Sequence, residues 1–230
     1  MQKNLPKTLW NYLEKNFANV ITLPAIKKAK LISVSFADPI KKTTYPKYFE
    51  LSGYDYKIYN QSNVFSKKSL DIGTRFLINN IPEIKVPESI VDLGCGNGVI
   101  GLVFANIFKQ ADIHFVDESY MAINSAKLTI EANLQSSGRF NFHINHGLTN
   151  WKPNSIEFVV CNPPFHQNQT IGTHIANDMF VQTHRTLKKG GKFLIIANRH
   201  LPYFPKLKRK FSKVKTVASD KKFNLYLATK

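Results

Sequence analysis

The stretch VDLGCGNG (residues 91–98) decides how the rest of the chain is read. A strand-like apolar run, 90–93, leads into it, and a helical apolar run, 99–108, leaves it. Gly94, Gly96 and Gly98 let the backbone adopt angles closed to other residues and come close to a ligand. Nineteen residues past Gly98, after the next strand-like run at 113–116, stands Asp117. A carboxylate there can bind both hydroxyls of a ribose. The spacing is not that of a dinucleotide turn, because G-x-G-x-x-G would need glycine where Val99 stands. Asp92 would also repel a pyrophosphate. It suits a cationic ligand, or the amino group of a methionine moiety.

Outward from this turn the pattern is regular. A helix is expected over 119–134, with Ala122, Ala126, Ile130 and Leu134 forming one apolar face. A weak strand follows at 141–145 and a buried one at 158–161. A helix at 177–187 is expected to stop at Lys188-Lys189-Gly190-Gly191, before a buried strand at 192–197. A basic helix at 206–211 precedes strands at 214–218 and 223–228, too close for a crossover and therefore antiparallel. Strands and helices alternating through short links form a parallel sheet covered on both faces. Upstream, Pro82 ends a helix at 74–79, and runs 48–51 and 54–59 flank Ser52-Gly53 as a two-residue hairpin. Residues 1–46 read as a leader with a short helix (8–17) and one strand (30–36), ahead of a domain at 47–230.

D-x-G-x-G-x-G followed by an acid is the pattern of doubly wound enzymes that use S-adenosylmethionine. The expected fold is thus α/β: a doubly wound, seven-stranded, mostly parallel sheet with the last strand antiparallel. It is of the S-adenosylmethionine-dependent methyltransferase (Rossmann-like) type, and S-adenosyl-L-methionine is the expected cofactor.

Composition bounds the remaining classes. The 230 residues include 32 Lys and Arg against 15 Asp and Glu, a net charge of +17. Such a field attracts polyanions, nucleic acid first, although a generally lysine-rich surface explains the number as well. The two cysteines, Cys95 and Cys161, form no disulfide framework and suit a reducing compartment. No apolar run approaches the ~20 residues that span a bilayer, and no signal peptide is evident, so a cytoplasmic protein is expected. His143 and His146, three apart on a strand, point to opposite faces, so no metal is expected.

The second motif is CNPPFHQ (161–167), which follows the fourth strand of the sheet, beside the first. Ligands of doubly wound sheets bind at the carboxyl ends of strands, so Asn162 should face the cofactor site. Its side-chain carbonyl and the main-chain carbonyl of Pro163, on a loop stiffened by proline, can each accept one hydrogen of a planar amine. The amine lone pair is thereby turned toward a methyl sulfonium. Positioning should supply most of the rate, and no general base is required. Phe165 offers a ring on which a base can stack. The acceptor is narrowed to adenine N6, guanine N2 or a glutamine side-chain amide.

Five stretches together resemble the bacterial ribosomal RNA guanine-N2 methyltransferases, above all the large-subunit (23S) branch. They are NVFSKKSLDIGTRFL (63–77), VDLGCGNGVIGL (91–102), FVDES (115–119), CNPPFHQ (161–167) and ANRHLPYFPKLKRKF (197–211). The segment from Val64 to Gly73 also marks the small-subunit (16S) enzymes, whereas Asn198-Arg199-His200 favours the large-subunit branch. The resemblance implies that Phe65, Ser66 and Asp71 border the methionine end of the cofactor, with Asp92, Gly94 and Gly96. It implies that Asp117 holds the ribose and that Asn145 and His146 approach the adenine, where relatives tend to carry Asn at the position of His146. Asn162, which also borders the cofactor, would hold an unpaired or flipped guanine with Pro163 and Phe165.

The implied reaction is methyl transfer to N2 of a guanine in 23S ribosomal RNA. The alternatives are a 16S guanine-N2 enzyme, adenine-N6 methylation, glutamine methylation of a protein, and a non-catalytic RNA-binding module. Lys206, Lys208, Arg209 and Lys210 are the candidate RNA contacts. Relatives usually carry a whole N-terminal domain of similar fold ahead of this one. Whether the leader is a remnant of that domain, or RNA docking is reduced, is left open.

Overall fold

The computed structural model describes residues 6–26, 29–36, 43–66, 68–135, 138–163 and 169–230; of 169–175 only the backbone is described. The chain forms two compact units, Met1–Thr44 and Tyr45–Lys230. In the first, α1 (Lys7–Asn16) runs directly into β1 (Phe17–Thr22), which pairs antiparallel with β2 (Ile32–Phe36). The expected leader helix and strand are present, and β1 is a strand that the periodicity did not reveal.

The second unit opens with a hairpin of β3 (Lys47–Leu51) and β4 (Tyr56–Asn60). Its link is the four-residue turn 52–55, not the two-residue Ser52-Gly53 turn expected. After α2 (Ile72–Asn79) come β5 (Ser89–Leu93), α3 (Val99–Ile107), β6 (Asp112–Asp117), α4 (Tyr120–Asn133) and β7 (Phe140–Ile144). Then follow β8 (Ile156–Cys161), α5 (Gln169–Thr186), β9 (Leu187–Asn198), α6 (Tyr203–Lys208), β10 (Lys213–Ser219) and β11 (Phe223–Thr229).

Seven of these strands make one sheet in the order β10-β11-β9-β8-β5-β6-β7. β5 through β9 run parallel, and β11 lies antiparallel to both β9 and β10. The last strand alone is reversed, as expected. Three boundaries differ from expectation. α5 begins at Gln169, and α6 spans Tyr203–Lys208 rather than 206–211. Residues 187–191 belong to β9 instead of stopping a helix, and the β8–β9 register jumps there from Ile156–Leu187 to Phe158–Lys192.

Side-chain alternation explains why both faces are covered. Ile90 of β5, with Phe158 and Val160 of β8, joins the core built with α3 and α4. Val91 and Leu93, with Val159 and Cys161, join the other core, with Phe180 of α5 and Leu207 of α6. The first seven residues of α3 are buried whatever face they occupy, which makes it the central helix.

α4 has two working stripes. Ala122, Ala126 and Ile130 are buried, as the sequence pattern requires. Turned a little around the helix, Ser125, Thr129 and Asn133 meet the free edge of β4. Asn133 Oδ1 accepts from the Lys57 N–H (2.8 Å) and its Nδ2 donates to the Lys57 carbonyl (2.8 Å). Thr129 Oγ1 accepts from the Tyr59 N–H (3.0 Å), and Ser125 Oγ from the Gln61 N–H (2.8 Å). Hydroxyls and an amide thus stand where a neighbouring strand would otherwise satisfy the backbone.

Candidate active site

β5 and β8 are neighbours in the sheet, yet the chain leaves them in opposite directions, toward β6–β7 and toward β9–β11. Their carboxyl ends therefore flank a topological switch point, where such sheets bind ligands. The glycine turn ends one strand and Asn162 follows the other.

The turn is pinned by main-chain bonds from Gly94 N–H (2.8 Å) and Cys95 N–H (3.0 Å) to the Val116 carbonyl. Gly94, Gly96 and Gly98 all have left-handed φ, +71°, +54° and +77°. Gly98 has a packing reason as well, because a Cβ there would lie 2.9 Å from Ala126 Cβ of α4. At the end of β6, Asp117 Oδ2 accepts from the Gly96 N–H (3.0 Å) and Oδ1 from the Ser119 N–H (2.9 Å). Each carboxylate oxygen keeps a second lone pair, so a fixed and half-buried Asp117 can still receive two hydroxyls.

Asp92 is fully buried. Its Oδ2 accepts from the Gly101 N–H (2.8 Å), one of the first-turn donors of α3 that lack an intrahelical acceptor. Oδ1 has no hydrogen-bond partner among the described residues. Burial pushes the carboxyl pKa up to about 7; the Gly101 N–H pulls against that shift, and the charge of Asp117 adds to it. A buried, unpartnered carboxylate oxygen behind a glycine turn is a site for an ammonium or another cation.

Asn162 is held from below by α2. Its Nδ2 donates to Thr74 Oγ1 (2.8 Å) and lies 3.4 Å from Asp71 Oδ2. Asp71 is itself the N-cap of α2, its Oδ1 accepting from the N–H groups of Gly73 (2.9 Å) and Thr74 (3.2 Å). With both amide donors directed at α2, the carbonyl must face away. Asn162 Oδ1 is buried without a partner among the described residues. It is an acceptor in need of a donor. Pro163 is buried beside it, whereas Phe165 lies outside the described residues.

The remaining expected residues fall as follows. Phe65 is exposed and Ser66 has a left-handed φ of +63°, its hydroxyl donating to the Ser69 carbonyl. Both occupy the loop between β4 and α2; the end of β4, where that loop begins, is tied to the glycine turn by Asn97 Nδ2 donating to Asn60 Oδ1 (3.0 Å). Asn145 follows β7, its N–H bonded to the Asp117 carbonyl (2.9 Å), but its amide turns back on Gly147 and Thr149. His146 pairs with Glu118 (3.0 Å) in solvent. The sequence reading missed Thr74, Asn60 and Asn97. It also missed Met179, whose Cε lies 3.8 Å from where a Cβ on Gly94 would be. Burial pushes the thiols of Cys95 and Cys161 well up, so neither is a nucleophile. Among the described residues no cluster of His, Cys, Asp or Glu could hold a metal ion.

A doubly wound sheet with an acid-anchored glycine turn and an amide acceptor at its switch point defines a methyltransferase-type α/β domain. Residues 55–227 match the methyltransferase small domain family, and the chain belongs to it. It is 46% identical over 207 residues to the ribosomal RNA large subunit methyltransferase G of Pseudoalteromonas translucida, covering 90% of this chain and 54% of that protein. The protein of the same name from Aeromonas hydrophila is 42% identical over 234 residues, covering 99% of this chain and 61% of the relative. The chain thus spans little more than half the length of the curated relatives it matches. A solved T. thermophilus 16S rRNA N2 G1207 methyltransferase, in complex with AdoMet and guanosine, superposes with a TM-score of 0.78 at 19% identity. That likeness covers 97% of this chain and 61% of the other.

Proposed function

We propose that this chain carries the catalytic site of an S-adenosylmethionine-dependent methyltransferase acting on N2 of a guanine in large-subunit (23S) ribosomal RNA. The observation that carries the reading is Asn162 Oδ1. It is a buried carbonyl without a partner among the described residues, locked by Thr74 and Asp71, at the strand end next to the glycine turn. The relatives named as large-subunit ribosomal RNA methyltransferases support the RNA substrate, and the neighbour solved with guanosine supports the N2 amine.

The residues present fit the cofactor. Asp117 would take the ribose hydroxyls, and Asp92 Oδ1 would face the ammonium of the methionine moiety. The glycine turn would leave room for the backbone to approach, with Phe65, Ser66 and Asp71 bordering the methionine end. Asn145 and His146, just past β7, would approach the adenine. Bound S-adenosylmethionine supplies an activated methyl group with a thioether as leaving group.

The chain's own contribution is orientation. Asn162 Oδ1 and the Pro163 carbonyl accept the two amine hydrogens, which fixes the plane of the amine and aims its lone pair. Phe165 would stack on the flipped base. No general base is required at this position; the methylated amine, cationic once the methyl is bound, loses its proton afterwards. An in-line transfer from a good leaving group gains mainly from such positioning.

Lys206, Lys208, Arg209 and Lys210 lie on α6 and just beyond it, the last three exposed, and would contact RNA phosphates. A cytoplasmic location goes with a ribosomal RNA substrate; among the described residues no helix is long and apolar enough to cross a membrane. The test is transfer of labelled methyl from S-adenosylmethionine to separated, unmodified 23S and 16S RNA, followed by nucleoside analysis. N2-methylguanosine from 23S RNA is expected. N6-methyladenosine, or label on protein, overturns the proposal.

A further inference from the structure

We infer that Asn198 is a specificity-determining residue that reads the N1–H of the target guanine and so separates guanine from adenine. The inference rests on the guanine-N2 reading above and deepens it. Asn198 is the last residue of β9, the strand beside β8. Leu194 and Ile196 of β9 point into the same core as Phe158 and Val160 of β8. Continuing both alternations puts Asn198 and Asn162 on one face of the sheet, at its carboxyl end.

The N-terminus of α2 lies against Asn162 and against the neighbours of Asn198 in the sheet. Asp71 and Thr74 hold the Asn162 amide, while a Cβ on Gly73 would lie 3.4 Å from Phe223 and 3.5 Å from Ile196. Phe223 is the register partner of Asn198 on β11. The backbone at Asn198 is fixed by that pairing and by its carbonyl, which accepts from the Leu201 N–H (3.0 Å). Asn198 Oδ1 is nevertheless buried with no hydrogen-bond partner among the described residues. Among the described residues, two amide carbonyls on neighbouring strand ends are therefore both without donors.

Guanine supplies donors to both. Its N2 amine stands next to N1–H on the Watson–Crick edge, so an acceptor beside the amine grip meets a second donor. Adenine offers a lone pair at N1, which a carbonyl oxygen repels. A site built around a substrate N–H discriminates strongly against an analogue lacking it. Stacking by an aromatic ring and a grip on an exocyclic amine do not distinguish the two purines; an acceptor aimed at N1 does.

The probes are guanosine and 2-aminopurine riboside, which keeps the 2-amino group but presents a bare N1. Binding to the full chain is measured for both, alongside thermal unfolding of each variant. The wild type should prefer guanosine by about tenfold or more. Asn198→Ala should lose that preference by weakening guanosine alone, and Asn198→Asp, which keeps an acceptor, should retain it. Asn198→Leu preserves volume without an acceptor and replaces the alanine variant if that one unfolds. An undiminished preference without the Asn198 acceptor, no preference in the wild type, or no binding of either nucleoside overturns the inference. The parent reading is scored separately: a wild type that makes N2-methylguanosine without such a preference loses only Asn198, while one that makes N6-methyladenosine loses both.

Discussion

At Asp92 a fully buried carboxyl engages one oxygen with α3, while the other has no partner among the described residues. Its pKa is raised from 3.8 to about 7, so the folded protein binds a proton there that the unfolded chain releases. The stability from that proton is complete below about pH 4, declines as pH rises toward 7, and is gone above. Relative to Asp92→Asn, the wild type should lose unfolding free energy across that window, at most about 1.4 kcal/mol per pH unit. Denaturant melts of both proteins between pH 4 and 8 check it, and parallel curves would refute it. Asp117→Ala should weaken S-adenosylmethionine binding by calorimetry, since it removes both ribose acceptors; an unchanged dissociation constant would discredit that role. The turn, Asp117 and Asn162 were legible because each lies at the end of a strand visible from its apolar run. The clamp on Asn162 was not. Thr74 and Asn162 are 88 residues apart, and no local pattern says that a threonine on α2 will meet an amide just past β8.

At the scale of elements, α4 shows why one periodicity can hide another. Ala122, Ala126 and Ile130 marked the core face, and Ser125, Thr129 and Asn133 repeat with the same spacing three residues on. Polar residues at that period read as a solvated face, yet they cover the edge of β4. Thr129→Val keeps the volume and strands the Tyr59 N–H, which should cost about 1–3 kcal/mol in chemical denaturation. A variant as stable as the wild type would mean that the stripe contributes nothing. β9 was misread for a related reason. Gly190 and Gly191 resemble a helix stop, but a Cβ on Gly191 would lie 2.8 Å from the Lys188 carbonyl oxygen. The pair serves a register jump inside a strand, which only the neighbouring strand reveals. Leader strand β1 escaped because it continues from α1 with no intervening turn residue.

Across the whole molecule, the excess of +17 and the exposed Lys208, Arg209 and Lys210 make the proposed RNA affinity an electrostatic quantity. Affinity for 23S RNA should fall steeply with salt. Replacing these three residues by alanine should flatten the salt dependence by about one unit of slope for each phosphate left unneutralised, with cofactor binding unaltered. Identical slopes would remove this surface from the RNA interface. That β8 lies beside β5 and that the last two strands pair antiparallel was readable in advance, because alternating strands and helices with short links permit few topologies. The central claim, that the carbonyl of Asn162 grips the target amine, is tested most directly by single-turnover methyl transfer to 23S RNA with Asn162→Ala, measured beside S-adenosylmethionine affinity. The account predicts a rate reduced about a hundredfold or more with cofactor affinity nearly unchanged. An undiminished transfer rate would contradict it.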